Sequence, residues 1–118
     1  MVTIEYDDDG VWRSLEDLVR AGLAPEARPW KQNQAVFARS RTRYTNGLQV
    51  IANRSREPYA APLPGGDLIL PPTGWVAWDE GGTFVAYSAY QPGTEQRVDA
   101  LREESSGLRF INPRGNVI

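Results

Sequence analysis

The sequence predicts a mainly-β fold: an antiparallel β-sandwich of roughly seven to nine short strands with one short N-terminal α-helix packed on it. Three observations predict it. From Ala35 onward the chain runs in short segments of alternating apolar and polar residues. Turn residues interrupt those segments about every eight to twelve positions. An Asn46-Gly47 pair sits between two alternating segments, the strongest short-range hairpin signal.

That hairpin has a legible register. A three-residue loop, Thr45-Asn46-Gly47 with Gly47 left-handed, pairs Tyr44 with Leu48. Val36, Ala38, Ser40, Thr42 and Tyr44 then share a face with Leu48, Val50 and Ala52, while Arg39, Arg41 and Arg43 share the other with Gln49, Ile51 and Asn53. A two-residue loop would slip the pairing and mix the faces, so the separation selects the longer loop.

The remaining elements follow in chain order. Val2, Ile4 and Tyr6 alternate with Thr3 and Glu5 as a short strand, ended by the acidic turn Asp7-Asp8-Asp9-Gly10. Adjacent aspartates suit solvent better than calcium, whose binding loops alternate their ligands. Ser14 with Asp17 forms a capping-box pattern, Gly22 suits the left-handed helix end, and Leu15, Leu18 and Val19 give an apolar stripe. Residues 24–33, with Pro25, Pro29 and Trp30, read as an irregular connection. Prolines limit residues 57–66 to an edge strand at most. Strands follow at Asp67-Leu68-Ile69-Leu70, at Trp75-Val76-Ala77-Trp78 and over residues 83–90, then around Val98 and at Leu108-Arg109-Phe110-Ile111. The run over 83–90 is apolar on both faces and so expects cover on both, with the helix as the outer one.

Bulk properties narrow the function. At 118 residues the chain is one domain, 1–118, with a strand, helix and connection over 1–33 and the sandwich over 34–118. A net charge of -2 removes the general electrostatic case for nucleic acid or an anionic membrane. With no Cys and no His, thiol nucleophiles, Ser-His triads and zinc sites built on those ligands are excluded, while the compartment stays open. No apolar run reaches the roughly 18 residues of a membrane span. Residues 1–5 lack the basic start and apolar core of a signal peptide, so any export signal would lie outside this chain.

Two motifs carry a resemblance. Tyr44-Thr45-Asn46-Gly47-Leu48-Gln49-Val50-Ile51-Ala52-Asn53 is followed by Leu70-Pro71-Pro72-Thr73-Gly74-Trp75-Val76-Ala77. The pair resembles the C-terminal β-sandwich accessory domains of large multidomain glycoside hydrolases, over residues 36–115. In that family a barrel domain carries the catalytic carboxylates and the sandwich supports it or helps present substrate. The resemblance implies an accessory domain and transfers no catalytic residue.

Candidate site residues follow from chemistry. A sugar platform needs exposed aromatics beside polar side chains. Trp30 and Tyr59 lie in loop-like stretches and are the aromatic candidates; Trp75, Trp78 and Tyr87 lie in strands and read as core. Arg41 and Arg43, with Arg39, make a ladder that could grip an anionic sugar bidentately, although alternation reads that face first as a solvated, ion-paired one. Asp79-Glu80 and Glu103-Glu104 are neighbours on turns, which do not converge across a cleft as acid/base catalysis requires. The expected function is a non-catalytic accessory domain of a carbohydrate-active enzyme, partnered by a catalytic domain or a glycan, with no cofactor and no metal. A free-standing carbohydrate-binding module and a structural protein-interaction module are the alternatives. Secretion would follow from membership of a larger exported enzyme.

Overall fold

The computed structural model describes residues 2–7, 12–20 and 38–115. Among them the strands are β1 (Val2–Asp7), β2 (Arg13–Ser14), β3 (Arg39–Tyr44), β4 (Leu48–Asn53), β5 (Tyr59–Leu63), β6 (Gly66–Leu70), β7 (Trp75–Asp79), β8 (Phe84–Tyr90), β9 (Arg97–Glu103) and β10 (Leu108–Asn112), with α1 at Leu15–Arg20. Eight strands make one antiparallel sheet in the order β10-β9-β8-β7-β4-β3-β1-β2, and β5-β6 makes a separate two-stranded ribbon. The fold is therefore mainly β and sandwich-like, but its second layer is a single hairpin.

The β3-β4 hairpin adopts the longer loop. Arg43 pairs with Gln49 and Thr42 with Val50. Gly47 sits at φ 92, a conformation that glycine reaches without a Cβ penalty. Its amide donates to the Tyr44 carbonyl at 3.0 Å, and the Leu48 amide donates to Asn46 Oδ1 at 3.1 Å.

After β4 the chain leaves the sheet, builds β5-β6, and returns as β7 to pair directly with β4. The excursion becomes the second layer because its inward side chains are apolar. Ala61, Leu68 and Leu70 of the ribbon pack with Ile51, Val76, Trp78 and Ala89 of the large sheet, and Tyr59, Leu63, Val85 and Tyr87 close the margins. Pro62 is accommodated because β5 is paired on one side alone. Each fully buried aliphatic here contributes roughly 1.5–3 kcal/mol.

The ribbon covers the face of Ile51 and Asn53, which the hairpin register shares with Arg39, Arg41 and Arg43. This corrects the expectation that the arginine face is the solvated one. β4, β7 and β8 carry apolar residues on both faces, so alternation does not say which face is roofed. The return of the chain from Asn53 does.

The six residues of α1 begin beside Ser14, whose Oγ accepts the Asp17 amide at 3.2 Å, but the expected N-terminal helix packed on the sandwich is not supported. Its role as cover for β8 is not supported. The element against β8 is β6, whereas α1 adjoins β1 and β2. The side chains of Leu15, Leu18 and Val19, the acidic turn over 8–10, Gly22 and the connection with Trp30 lie outside the described residues.

Candidate functional site

The inner arginines are occupied by the fold. Glu5 of β1 stands opposite Arg41 in the register of β1 and β3. Its Oε1 accepts Arg41 Nη2 at 2.9 Å and Arg41 Nε at 3.3 Å, and lies 2.8 Å from Arg43 Nη2. The Arg41 guanidinium also lies over the Trp12 ring, 4.7 Å from its centroid. Arg39 lies over the Tyr59 ring at 4.5 Å, and Tyr59 packs at the margin of the core. Of the four candidate residues, Arg41 and Arg43 are thus ion-paired, Tyr59 is half-buried, and Trp30 is outside the described residues.

The opposite face of the large sheet has no second layer among the described residues. One of its rows is almost wholly apolar, Ile4, Thr42, Val50, Ala77, Ala86, Leu101 and Phe110, and the row beside it sets Tyr44, Leu48, Phe84 and Leu108 among Asp79 and Glu103. Ile4, Tyr44, Leu108 and Phe110 are 40–58% exposed. The next row is polar around a tryptophan: Ser40, Ala52, Trp75, Ser88, Asp99 and Asn112 stand side by side across β3, β4, β7, β8, β9 and β10.

Trp75 belongs to this open row and is 39% exposed, while Trp78 is buried in the core. This corrects the reading of both as core. The two are three residues apart in one strand, and an odd separation sends side chains to opposite faces.

Beside Trp75 the Ser88 hydroxyl, in a residue 3% exposed, accepts hydrogen bonds from Arg97 Nε at 2.9 Å and Arg114 Nη1 at 3.2 Å. Arg97 is held further by the segment before β7. Its Nη1 donates to Thr73 Oγ1 at 2.7 Å and to the Pro72 carbonyl at 3.3 Å, and its Nη2 to the Thr73 carbonyl at 3.1 Å. Burial, and after it the nearby Arg114 charge, lower the Arg97 pKa from its ordinary value; Asp99 and Tyr90 oppose this. Asp99 Oδ1 faces Arg114 Nη1 at 3.6 Å and makes no hydrogen bond among the described residues. Thr73 and Arg114 are the non-glycine residues at positive φ among those described, at 69 and 54. Strained backbone of this kind concentrates at functional sites.

The sequence carried a weak signal for part of this cluster. Arg97 and Asp99 are two apart in one strand and must share a face. Arg114, beyond Pro113, has no periodic relation to them, and the role of Ser88 depends on strand order.

A groove of about 520 Å³ opens elsewhere, between the β5-β6 turn and β7-β8-β9. Leu63, Trp78, Val85 and Tyr87 line it, with Asp67 as its one carboxylate and Arg102 as its one guanidinium. It holds no carboxylate pair of the kind that glycoside hydrolysis uses. No protein-family model, curated protein or solved structure matches the chain.

Proposed function

We propose that this domain is a non-catalytic accessory module of a carbohydrate-active enzyme, which supports a catalytic domain and contacts glycan at the edge of that contact. The observation that carries the proposal is the division of the open sheet face. Its apolar row and the apolar side chains next to it, with Phe110, Leu108, Tyr44 and Ile4 exposed, form a surface of the kind that covers another domain. Its polar row, with Trp75 beside two arginines, a serine and an aspartate, offers stacking and directional hydrogen bonds to a sugar ring. The carbohydrate assignment itself rests on the resemblance of the Tyr44–Asn53 and Leu70–Ala77 motifs to the accessory sandwiches of glycoside hydrolases.

A photo-cross-linking residue placed at Phe110 tests the reading in the native host. Cross-links to a polypeptide segment whose isolated activity cleaves glycosides support an accessory domain. Cross-links confined to other copies of this chain favour the structural module, and no cross-link with retained glycan binding favours the free-standing binding module.

A further inference from the structure

The cluster at Ser88 gathers two guanidiniums on one hydroxyl beside an exposed indole. Arg97 and Arg114 both donate to one neutral hydroxyl. Asp99 is the carboxylate opposite Arg114, at 3.6 Å from its Nη1.

The two arginines are held differently. Arg97 spends Nε, Nη1 and Nη2 on Ser88, Pro72 and Thr73, which fixes it in place. Arg114 spends Nη1 on Ser88 and Asp99 and its backbone amide on Asn112 Oδ1. Its Nε and Nη2, one edge of the planar fork, have no partner among the described residues. A guanidinium edge of that shape matches a carboxylate with two parallel hydrogen bonds. Trp75 stands directly opposite Ser88 on the neighbouring strand, where Cβ atoms are about 5 Å apart. The indole offers a flat apolar surface to the C–H face of a pyranose, and the Arg114 guanidinium reaches Ser88 on the adjoining strand through Nη1.

From this juxtaposition we propose that Trp75 and Arg114, with Ser88, Arg97 and Asp99 behind them, form a binding site for a carboxylated pyranose, a hexuronic acid unit of an acidic glycan. The sugar ring stacks on Trp75 and its carboxylate takes the free edge of Arg114. Arg97 is a positioning residue: clamped by Thr73 and Pro72, it holds Ser88, which in turn orients Arg114. The proposal deepens the accessory reading by naming its glycan class, and rests on that reading for the expectation that glycan is the ligand.

The test is a titration of the full chain, followed by two-dimensional NMR of tryptophan indole and arginine Nε protons. The probes are tetrasaccharides of galacturonate, glucuronate and mannuronate, their carboxyl-reduced neutral counterparts, and acetate. At least one uronide is expected to shift the Trp75 and Arg114 signals saturably. Its neutral counterpart and acetate should each bind about tenfold or more weakly, the size of one lost charge-assisted contact. Arg114→Ala should remove the preference for the acidic sugar, and Trp75→Ala should weaken every sugar about tenfold. Trp75→Phe should keep most of the affinity, which separates loss of the platform from loss of the fold. Equal binding of neutral sugar, equal binding of acetate, an Arg114→Ala chain that still prefers uronide, or no saturable shift with any uronide would each overturn the proposal. The chain is tested alone, so absence of a catalytic partner leaves the result readable.

Discussion

The side-chain amide of Asn53 donates to the carbonyl of Leu70 at 3.0 Å and so joins the end of β4 to the end of β6. The same Nδ2 reaches the carbonyls of Glu57 at 2.7 Å and Pro71 at 3.3 Å, while Oδ1 accepts the Ser55 amide at 3.1 Å and its hydroxyl at 2.7 Å. The Asn53 backbone exchanges bonds with the second motif as well, donating to the Gly74 carbonyl at 2.8 Å and accepting the Thr73 amide at 2.9 Å. The two sequence motifs are therefore halves of one lock, which returns the excursion to the sheet and closes the ribbon over the core.

Asn53 is 1% exposed, and its bonds to the Leu70 and Pro71 carbonyls are buried with it. Asn53→Ala should cost about 2–4 kcal/mol, because two buried carbonyls and two part-buried groups lose their partner at once. Urea unfolding measures this. A loss under about 0.5 kcal/mol would mean that the carbonyls find other donors.

Gly74 is required by proximity. A Cβ there would stand 2.8 Å from Pro71 Cδ, 2.8 Å from the Ser88 carbonyl oxygen and 2.9 Å from the Pro71 carbonyl oxygen. Two of the three are backbone atoms and cannot swing aside. Gly74→Ala should therefore destabilise by about 3 kcal/mol, as overpacking does, and should shift the NMR signals of Ser88 and Thr73. An alanine variant as stable as the parent would show that the turn relaxes freely.

These two residues mark what was legible. The hairpin register could be read because a slip would scramble both faces, and most strands could be read because turn residues bracket them. The roofed face could not be read. Ile51 and Val50 are equally apolar, and the choice between their faces is made by Asn53 reaching Leu70, seventeen positions later in the chain. The same limit governs the site. Trp75 and Trp78 could have been sent to opposite faces by their odd spacing, but Arg114 meets Ser88 only because β8, β9 and β10 lie side by side. The arginine ladder was read from alternation as solvated, and Glu5, Trp12 and Tyr59 are what make its inward placement tolerable.

Glu5 is the counter-charge of that ladder. Its side chain is 15% exposed and that of Arg41 is 23% exposed, so solvent screens the pair little. Arg43, with 46% of its side chain exposed, gains less. Glu5→Ala would leave Arg41 packed on Trp12 without an anion and should cost about 2 kcal/mol. In an Arg41→Met background the same change should cost much less, because the stranded charge is gone. Urea unfolding of the four chains gives the coupling, and additive costs would show that the pair contributes nothing.

Asp79 supplies the pH dependence. Its carboxylate accepts the Thr83 hydroxyl and, at 3.1 Å, the Phe84 amide, in the turn between β7 and β8. The Thr83 bond is the larger cause and the Phe84 bond the next, and together they hold the Asp79 pKa below its ordinary 3.8. A depressed folded value means that the unfolded chain takes up the proton first as pH falls. The stabilisation is present above 3.8 and is lost as pH drops through the lower folded value. Thr83→Val should bring the Asp79 titration back toward 3.8. It should also be less stable than the parent near neutral pH, with the gap narrower at an acid pH below the depressed folded value. Carboxyl carbon NMR gives the titration, and urea unfolding at the two pH values gives the gap. A parent Asp79 that titrates at or above 3.8 would remove the Thr83 bond from the account.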